Sequence, residues 1–125
     1  MENYKTIVLG ATTKPERYAY KATERLVDSG IEVVPVGIRK GLCGGLPIQN
    51  DQPSIEKVHT ITLYLNPRVQ EDYYDYIIKM APKRVIFNPG TENTALYGLL
   101  KKKLPETKIE VACTLVLLSI GAYKE

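Results

Sequence analysis

Five short apolar runs rich in β-branched residues alternate along this chain with stretches long enough for a helix, and that alternation leaves few folds open. Residues 5–10 read KTIVLG and end at Gly10. Residues 31–36 (IEVVPV) end at Gly37, residues 60–65 (TITLYL) at Asn66, residues 84–88 (RVIFN) at Pro89, and residues 108–112 (KIEVA) at Cys113. Continuous apolar runs of this length suit strands buried on both faces. Between the first two runs, Ala19, Ala22, Leu26 and Val27 recur at helical spacing, with charged residues filling the other face. Pro15 suits the first position of that helix, and Gly30 its left-handed C-terminal cap. A strand followed by a helix and another strand implies parallel pairing, because a parallel pair needs a crossover. Repetition of the unit predicts an α/β domain: an open, five-stranded, mainly parallel sheet with helices on both faces and right-handed crossovers.

The remaining segments fill in this plan. Asn66 reads as an N-cap with Pro67 at the first helical position, and Val69, Tyr73, Ile77 and Met80 share one face until Ala81 and Pro82 stop the helix. A further helix turns Leu96, Leu99 and Leu100 inward, and the apolar tail, residues 113–123, packs as a closing helix. Residues 41–47 (GLCGGLP) read as a glycine-rich loop and residues 51–56 (DQPSIE) as a short helical turn. No linker or internal repeat breaks the 125 residues, so residues 1–125 are expected to form one domain.

Charge and cysteine usage narrow the partners. Lys and Arg number 17 against 14 Asp and Glu, a net charge of +3 spread along the chain. Nucleic-acid binding calls for a concentrated basic patch, whereas a mild positive excess suits a small ligand carrying phosphate. The longest apolar run is too short to span a bilayer, and no secretory leader precedes the first strand. A cytoplasmic protein with reduced thiols is therefore expected. Cys43 and Cys113 lack CxxC spacing and His59 is the single histidine, which argues against a metal site.

In such sheets the ligand lies beyond the carboxyl ends of the strands. The candidate binding residues are therefore those in the turns after each strand. After the first come Gly10, Ala11, Thr12, Thr13, Lys14 and Arg17, with Tyr18 or Tyr20 placed to stack on a base. After the second come Gly37, Ile38 and Arg39; after the third, Leu65, Asn66 and Pro67; after the fourth, Asn88, Pro89 and Gly90; after the fifth, Cys113. The glycines permit close backbone approach, the helix start favours an anion, and Lys14, Arg17 and Arg39 suit phosphate oxygens. The backbone amides of residues 10–14 are expected to cradle a pyrophosphate. The first turn, GATTKP, is not GxGxxG, and no acidic residue closes the second strand, so plain NAD binding is disfavoured. An NAD(P)- or other adenine-nucleotide-binding regulatory domain remains an alternative, with Arg39 as a phosphate partner.

Taken in order, residues 10–18 (GATTKPERY), 36–39 (VGIR) with 45–48 (GLPI), 66–68 (NPR), 88–91 (NPGT) and 112–115 (ACTL) resemble the turns of the small stand-alone CoA-binding proteins. That family is related to the nucleotide-binding domain of succinyl-CoA synthetase alpha subunits. The resemblance covers nearly the whole chain. It implies a Rossmann-like three-layer domain, with coenzyme A as cofactor held by the turns named above. It implies a ligand class rather than a reaction: His59 precedes the third strand and does not match the phosphorylated histidine of the synthetases.

The catalytic inventory is sparse. Cys113 follows a strand and stands where a helix opens, which suits thiol or acyl-CoA chemistry, or else simple packing. Cys43, in the glycine-rich loop, is expected to be the more exposed thiol, and His59 to be a surface or strand-edge residue. Tyr73 and Tyr76 read as packing residues with hydroxyls at the surface, and Lys101, Lys102 and Lys103 as a solvated helix end. No catalytic residues are assigned. The expectation is a non-enzymatic CoA-binding module acting as sensor, carrier or partner of an acyl-CoA enzyme, with a homodimer through the C-terminal helix as one form it takes.

Overall fold

The computed structural model describes residues 3–124. Strand β1 (Thr6–Leu9) is buried at every residue, because it lies inside the sheet with a helical layer on each face. It pairs in parallel with β2 (Val33–Val36) on one side and β5 (Thr60–Leu63) on the other. Strands β6 (Arg84–Phe87) and β7 (Lys108–Val111) extend the sheet, giving the order β2-β1-β5-β6-β7 with every pair parallel. Pro35 stands in β2, an edge strand, where its missing N–H costs no ladder bond. Its carbonyl accepts from the Gln49 amide at 2.9 Å, so the passing chain covers that edge.

One helical layer holds α1 (Tyr18–Asp28) and α5 (Thr114–Ser119); the other holds α2 (Pro67–Gln70), a 3₁₀ turn over Glu71–Tyr73, α3 (Tyr74–Met80) and α4 (Thr94–Lys103). Alternate strand residues feed the two cores: Ile7, Leu9, Ile61, Leu63, Val85 and Phe87 meet Tyr73, Ile77, Leu96 and Leu100, while Val8 and Ile86 meet Ala19 and Leu26. This is the Rossmann-like sandwich the sequence pattern predicts. Gly30 does close α1: at φ +78° it lets the Ile31 amide reach Leu26 and its own amide reach Val27, the doubled bond of a left-handed cap.

Several local expectations need correction. Pro15 lies in a turn before α1 rather than at its first position; the helix opens at Tyr18 with Arg17 as N-cap. Val27 and Val69 face solvent, while the polar Thr23 is buried alongside Ala19, Ala22 and Leu26 in α1 and Gln70 is the buried residue of α2. Residues 41–47 are a hairpin, not a loop: β3 (Leu42–Cys43) and β4 (Leu46–Pro47) pair antiparallel around Gly44 and Gly45, both at positive φ as a two-residue turn requires. The hairpin folds onto α1, so Cys43 is fully buried, with Sγ 3.4 Å from Thr23 Oγ1. Residues 51–56 form no helical turn, since Asp51 and Gln52 adopt left-handed backbone, φ +61° and +49°.

His59 is buried just before β5. Its Nδ1 lies 2.7 Å from Thr60 Oγ1 and its ring 4.5 Å from that of Tyr4. Nearby sits a buried guanidinium that the sequence pattern does not announce. Arg84 Nε donates to Thr60 Oγ1 at 3.0 Å and Nη1 to the Tyr123 carbonyl at 2.8 Å; the group stacks on the Tyr123 ring and pairs with Glu110 at 3.6 Å. Tyr123 in turn meets Thr6 Oγ1 at 2.6 Å, tying the C-terminus to β1.

Tyr76 is buried, and its hydroxyl is not at the surface but donates to the Pro53 carbonyl at 2.6 Å. Burial, with a smaller contribution from Tyr73, pushes this phenol from 10.0 up to about 12. The neutral phenol is the form the fold favours. Its contribution is complete below pH 10 and declines as pH rises from 10 towards 12, where the unfolded chain alone gives up the proton. Urea midpoints measured between pH 9 and pH 12 are expected to fall, and less steeply in Tyr76→Phe; an unchanged slope counts against this assignment. Two glycines give a second test. A Cβ on Gly37 would lie 2.7 Å from the Ala11 carbonyl oxygen, whereas one on Gly98, inside α4, meets nothing within 4 Å. Gly37→Ala is expected to destabilise by about 1–3 kcal/mol and Gly98→Ala to stabilise by roughly 0.5–1 kcal/mol, read from thermal or urea unfolding.

Candidate functional site

The strand order reverses between β1 and β5, so the turns leaving these two strands diverge and a crevice opens between them at the carboxyl edge. A cleft of about 450 Å³ occupies that position. The β1 turn and the start of α1 contribute Gly10, Thr12, Lys14, Arg17, Tyr18 and Ala19. The β2 turn adds Arg39, the β5 turn Tyr64, Leu65 and Asn66, and the β6 turn Pro89, Gly90 and Thr91. A larger hollow of about 580 Å³ lies at the opposite end, beside His59 and Lys83, and no turn at the carboxyl ends of the strands lines it.

The walls approach closely because two glycines let backbone meet backbone. Gly10, at φ +105°, has the Tyr64 carbonyl carbon 2.9 Å from where a Cβ would stand, and Gly37 meets Ala11 in the same way. Gln70 fixes the far wall: its Nε2 donates to the Leu65 and Thr91 carbonyls, both at 2.8 Å, joining the β5 and β6 turns. Asn66 caps α2 as expected, accepting from the Val69 amide at 3.0 Å.

Nine of the residues named from the sequence come together here: Gly10, Thr12, Lys14, Arg17, Arg39, Leu65, Asn66, Pro89 and Gly90. Eight do not line the cleft. Ala11 is buried against Cys43 and Ile48, Thr13 packs on Gly41, and Gly37 serves the crossing with Ala11. Ile38 and Pro67 are exposed outside the lining. Tyr20 packs on the Ala11 cluster, and Tyr18, 69% exposed, takes the place at the cleft. Two residues along a helix point to different faces, so only one of the pair reaches the site.

Asn88 is a fastener. Its Nδ2 donates to Thr62 Oγ1 at 2.6 Å and to the Leu63 carbonyl at 2.8 Å, and its Oδ1 accepts from the Thr114 amide at 2.8 Å. Cys113 is half-buried at the N-cap of α5 and outside the lining.

The cradle expected from the amides of residues 10–14 is largely spent on the protein. The Gly10 and Ala11 amides both donate to the Val36 carbonyl, at 2.9 and 3.0 Å, and the Lys14 amide to Thr12 Oγ1 at 3.2 Å. The donors that face the cleft come instead from α1. Arg17 makes no side-chain cap, so the first-turn amides of this 11-residue helix lack a side-chain acceptor, and Arg17, Tyr18 and Ala19 all line the cleft. Together with exposed Lys14, Arg17 and Arg39 they make this end electropositive.

Tyr64 is a lining residue that sequence reasoning missed, and Thr91 one that it named only within the 88–91 turn. Tyr64 sits one residue past β5, on the face Thr60 and Thr62 share, and strand alternation was the signal available for it. Its hydroxyl is buried with no hydrogen-bond partner. Burial pushes the phenol well above its usual value, partly offset by the nearby Thr114 and Thr62 hydroxyls.

The sequence profile of the CoA binding domain matches residues 4–119. The chain belongs to the CoA-binding domain family. A solved structure of an uncharacterised protein superposes with TM-score 0.92 at 48% identity, covering 98% of this chain and 100% of the other. Cell-free ID.343 from Thermus thermophilus gives 0.81 at 20% identity, covering 97% and 91%. Prb, the PH1109 protein redesigned for binding, gives 0.78 at 24% identity, covering 98% and 87%. These last two share the fold. No curated protein matches the chain. No described helix is long and apolar enough to cross a membrane.

In this member of the family, Asn88 holds the floor behind the cleft. Asn88→Ala leaves the Thr114 amide and two acceptors without their partner and is expected to cost about 2–3 kcal/mol. Thermal unfolding should show a clear loss; an unchanged midpoint contradicts the fastening role.

Proposed function

We propose that the cleft binds coenzyme A through its phosphates, and that the protein works as a binding module, a sensor or carrier of CoA or acyl-CoA, rather than as a catalyst. The observation that carries this reading is the clustering of Lys14, Arg17 and Arg39 around the uncapped start of α1, at the point where the strand order reverses. Anions are favoured there by charge and by unpaired amides at once. Membership of the CoA-binding domain family supports CoA as the anion's bearer. The lining contains no Asp, Glu, His or Cys, which supports binding over proton transfer or nucleophilic attack. Tyr18 supplies an exposed ring beside the cationic end, suited to the adenine, and Arg39, which the β2 turn contributes to the lining, suits the phosphate on the ribose.

Titration calorimetry with CoA, dephospho-CoA and NAD tests the reading. CoA is expected to bind most tightly and to weaken as salt is raised. Arg39→Ala is expected to lose about three- to tenfold for CoA, discounted for exposure, and little for dephospho-CoA. No binding of CoA at millimolar concentration overturns the proposal. NAD binding as tightly as CoA points instead to a general adenine-nucleotide site.

A further inference from the structure

Resting on the reading that the cleft takes coenzyme A, we infer that its far end selects against acyl groups bearing a carboxylate, and that Glu92 makes the selection. Glu92 follows Thr91, a wall residue, and its side chain folds back so that Oε1 accepts from the Gly90 amide at 2.8 Å. Gly90 is itself part of the wall. The Glu92 carboxylate is exposed, and among the described residues no cation stands within ion-pair distance of it. Glu92 lies outside the lining itself, so a negative charge is held just behind the Gly90 wall on the β6 side, with one amide for compensation.

The lining is electrically lopsided. Its cations, Lys14, Arg17 and Arg39, all come from the β1 and β2 turns; the β5 and β6 turns contribute neutral residues only. β6 lies two strand spacings from β1 and three from β2, about 10 and 14 Å. Coenzyme A has the matching asymmetry: its phosphates cluster at one end, and a neutral arm with two amides leads to the thiol. Phosphates at the cationic end leave that arm to run along the β5 turn towards β6. A free thiol or a neutral acyl group arrives beside Glu92 without penalty. A carboxylate on the acyl group meets a like charge, and the Gly90 amide that would receive it is already engaged.

Two stable thioethers of equal length, S-propyl-CoA and S-carboxyethyl-CoA, test this by calorimetry at low ionic strength, with free CoA titrated alongside for each protein. The wild-type chain is expected to prefer S-propyl-CoA by about fivefold or more, and added salt to shrink the preference. In Glu92→Gln the amide oxygen still accepts from Gly90, so the turn keeps its form, and the two ligands are expected to come within about twofold of each other. Equal affinities in the wild-type chain, or a preference undiminished in Glu92→Gln, overturn the inference while leaving CoA binding standing. Failure of free CoA to bind removes the underlying reading and this one with it.

Discussion

The site exists because three parallel strands end within backbone contact of one another. Gly10 and Gly37 carry that constraint: each stands where a Cβ would press on main-chain atoms of the neighbouring turn, at 2.9 and 2.7 Å. Main chain cannot move aside as a side-chain tip can, so contact this close is open only to glycine. The crossing also explains why the first turn offers fewer amides than its composition suggests. Holding β2 beside β1 uses the Gly10 and Ala11 N–H groups on one carbonyl of Val36. The anion-facing role then passes to α1, which starts three residues later than a reading from Pro15 implies.

Most of the fold was legible in the sequence, and for a physical reason. Strands buried on both faces are mostly apolar and β-branched, so KTIVL, TITL and RVIF stand out whatever surrounds them. Caps were equally readable at Gly30 and Asn66, since they satisfy their own neighbourhood. What failed were readings that depend on distant partners. Val27 and Val69 keep helical spacing yet face solvent, because burial is set by what lies opposite. Cys43 looked exposed because glycines surround it; the same Gly44-Gly45 pair makes the hairpin that presses it onto α1. Gly-Gly between short flanking runs was a usable hairpin signal.

The candidate site followed the same division. Positions fixed by strand ends were found: Gly10, Leu65, Asn66 and Gly90 must lie at the carboxyl edge once the strands are placed. Roles of polar side chains were not. Asn88 has the composition of a ligand contact, but β5 and α5 both need it as a partner. Gln70, with Asn93 donating to its Oε1 at 2.9 Å, likewise joins the β5 turn at Leu65 to the β6 turn at Thr91. Such assignments depend on which acceptors the fold leaves bare, and no local pattern states that.

The buried polar groups therefore divide the molecule by function as well as by position. At the amino end of the strands, Arg84, Thr60, Thr6 and Tyr123 bond to one another and tie Tyr123 to the sheet. At the carboxyl end, Asn88 and Gln70 satisfy the turns from behind and leave the cleft's charged groups turned to solvent. Lys14, Arg17 and Arg39 are exposed, the Gly10 and Ala11 amides beneath them are engaged, and the first turn of α1 has no side-chain cap. A rigid, internally bonded floor under free cationic side chains loses little freedom when an anion settles on it. On the proposed reading, binding then asks for side-chain ordering at the rim and nothing of the sheet.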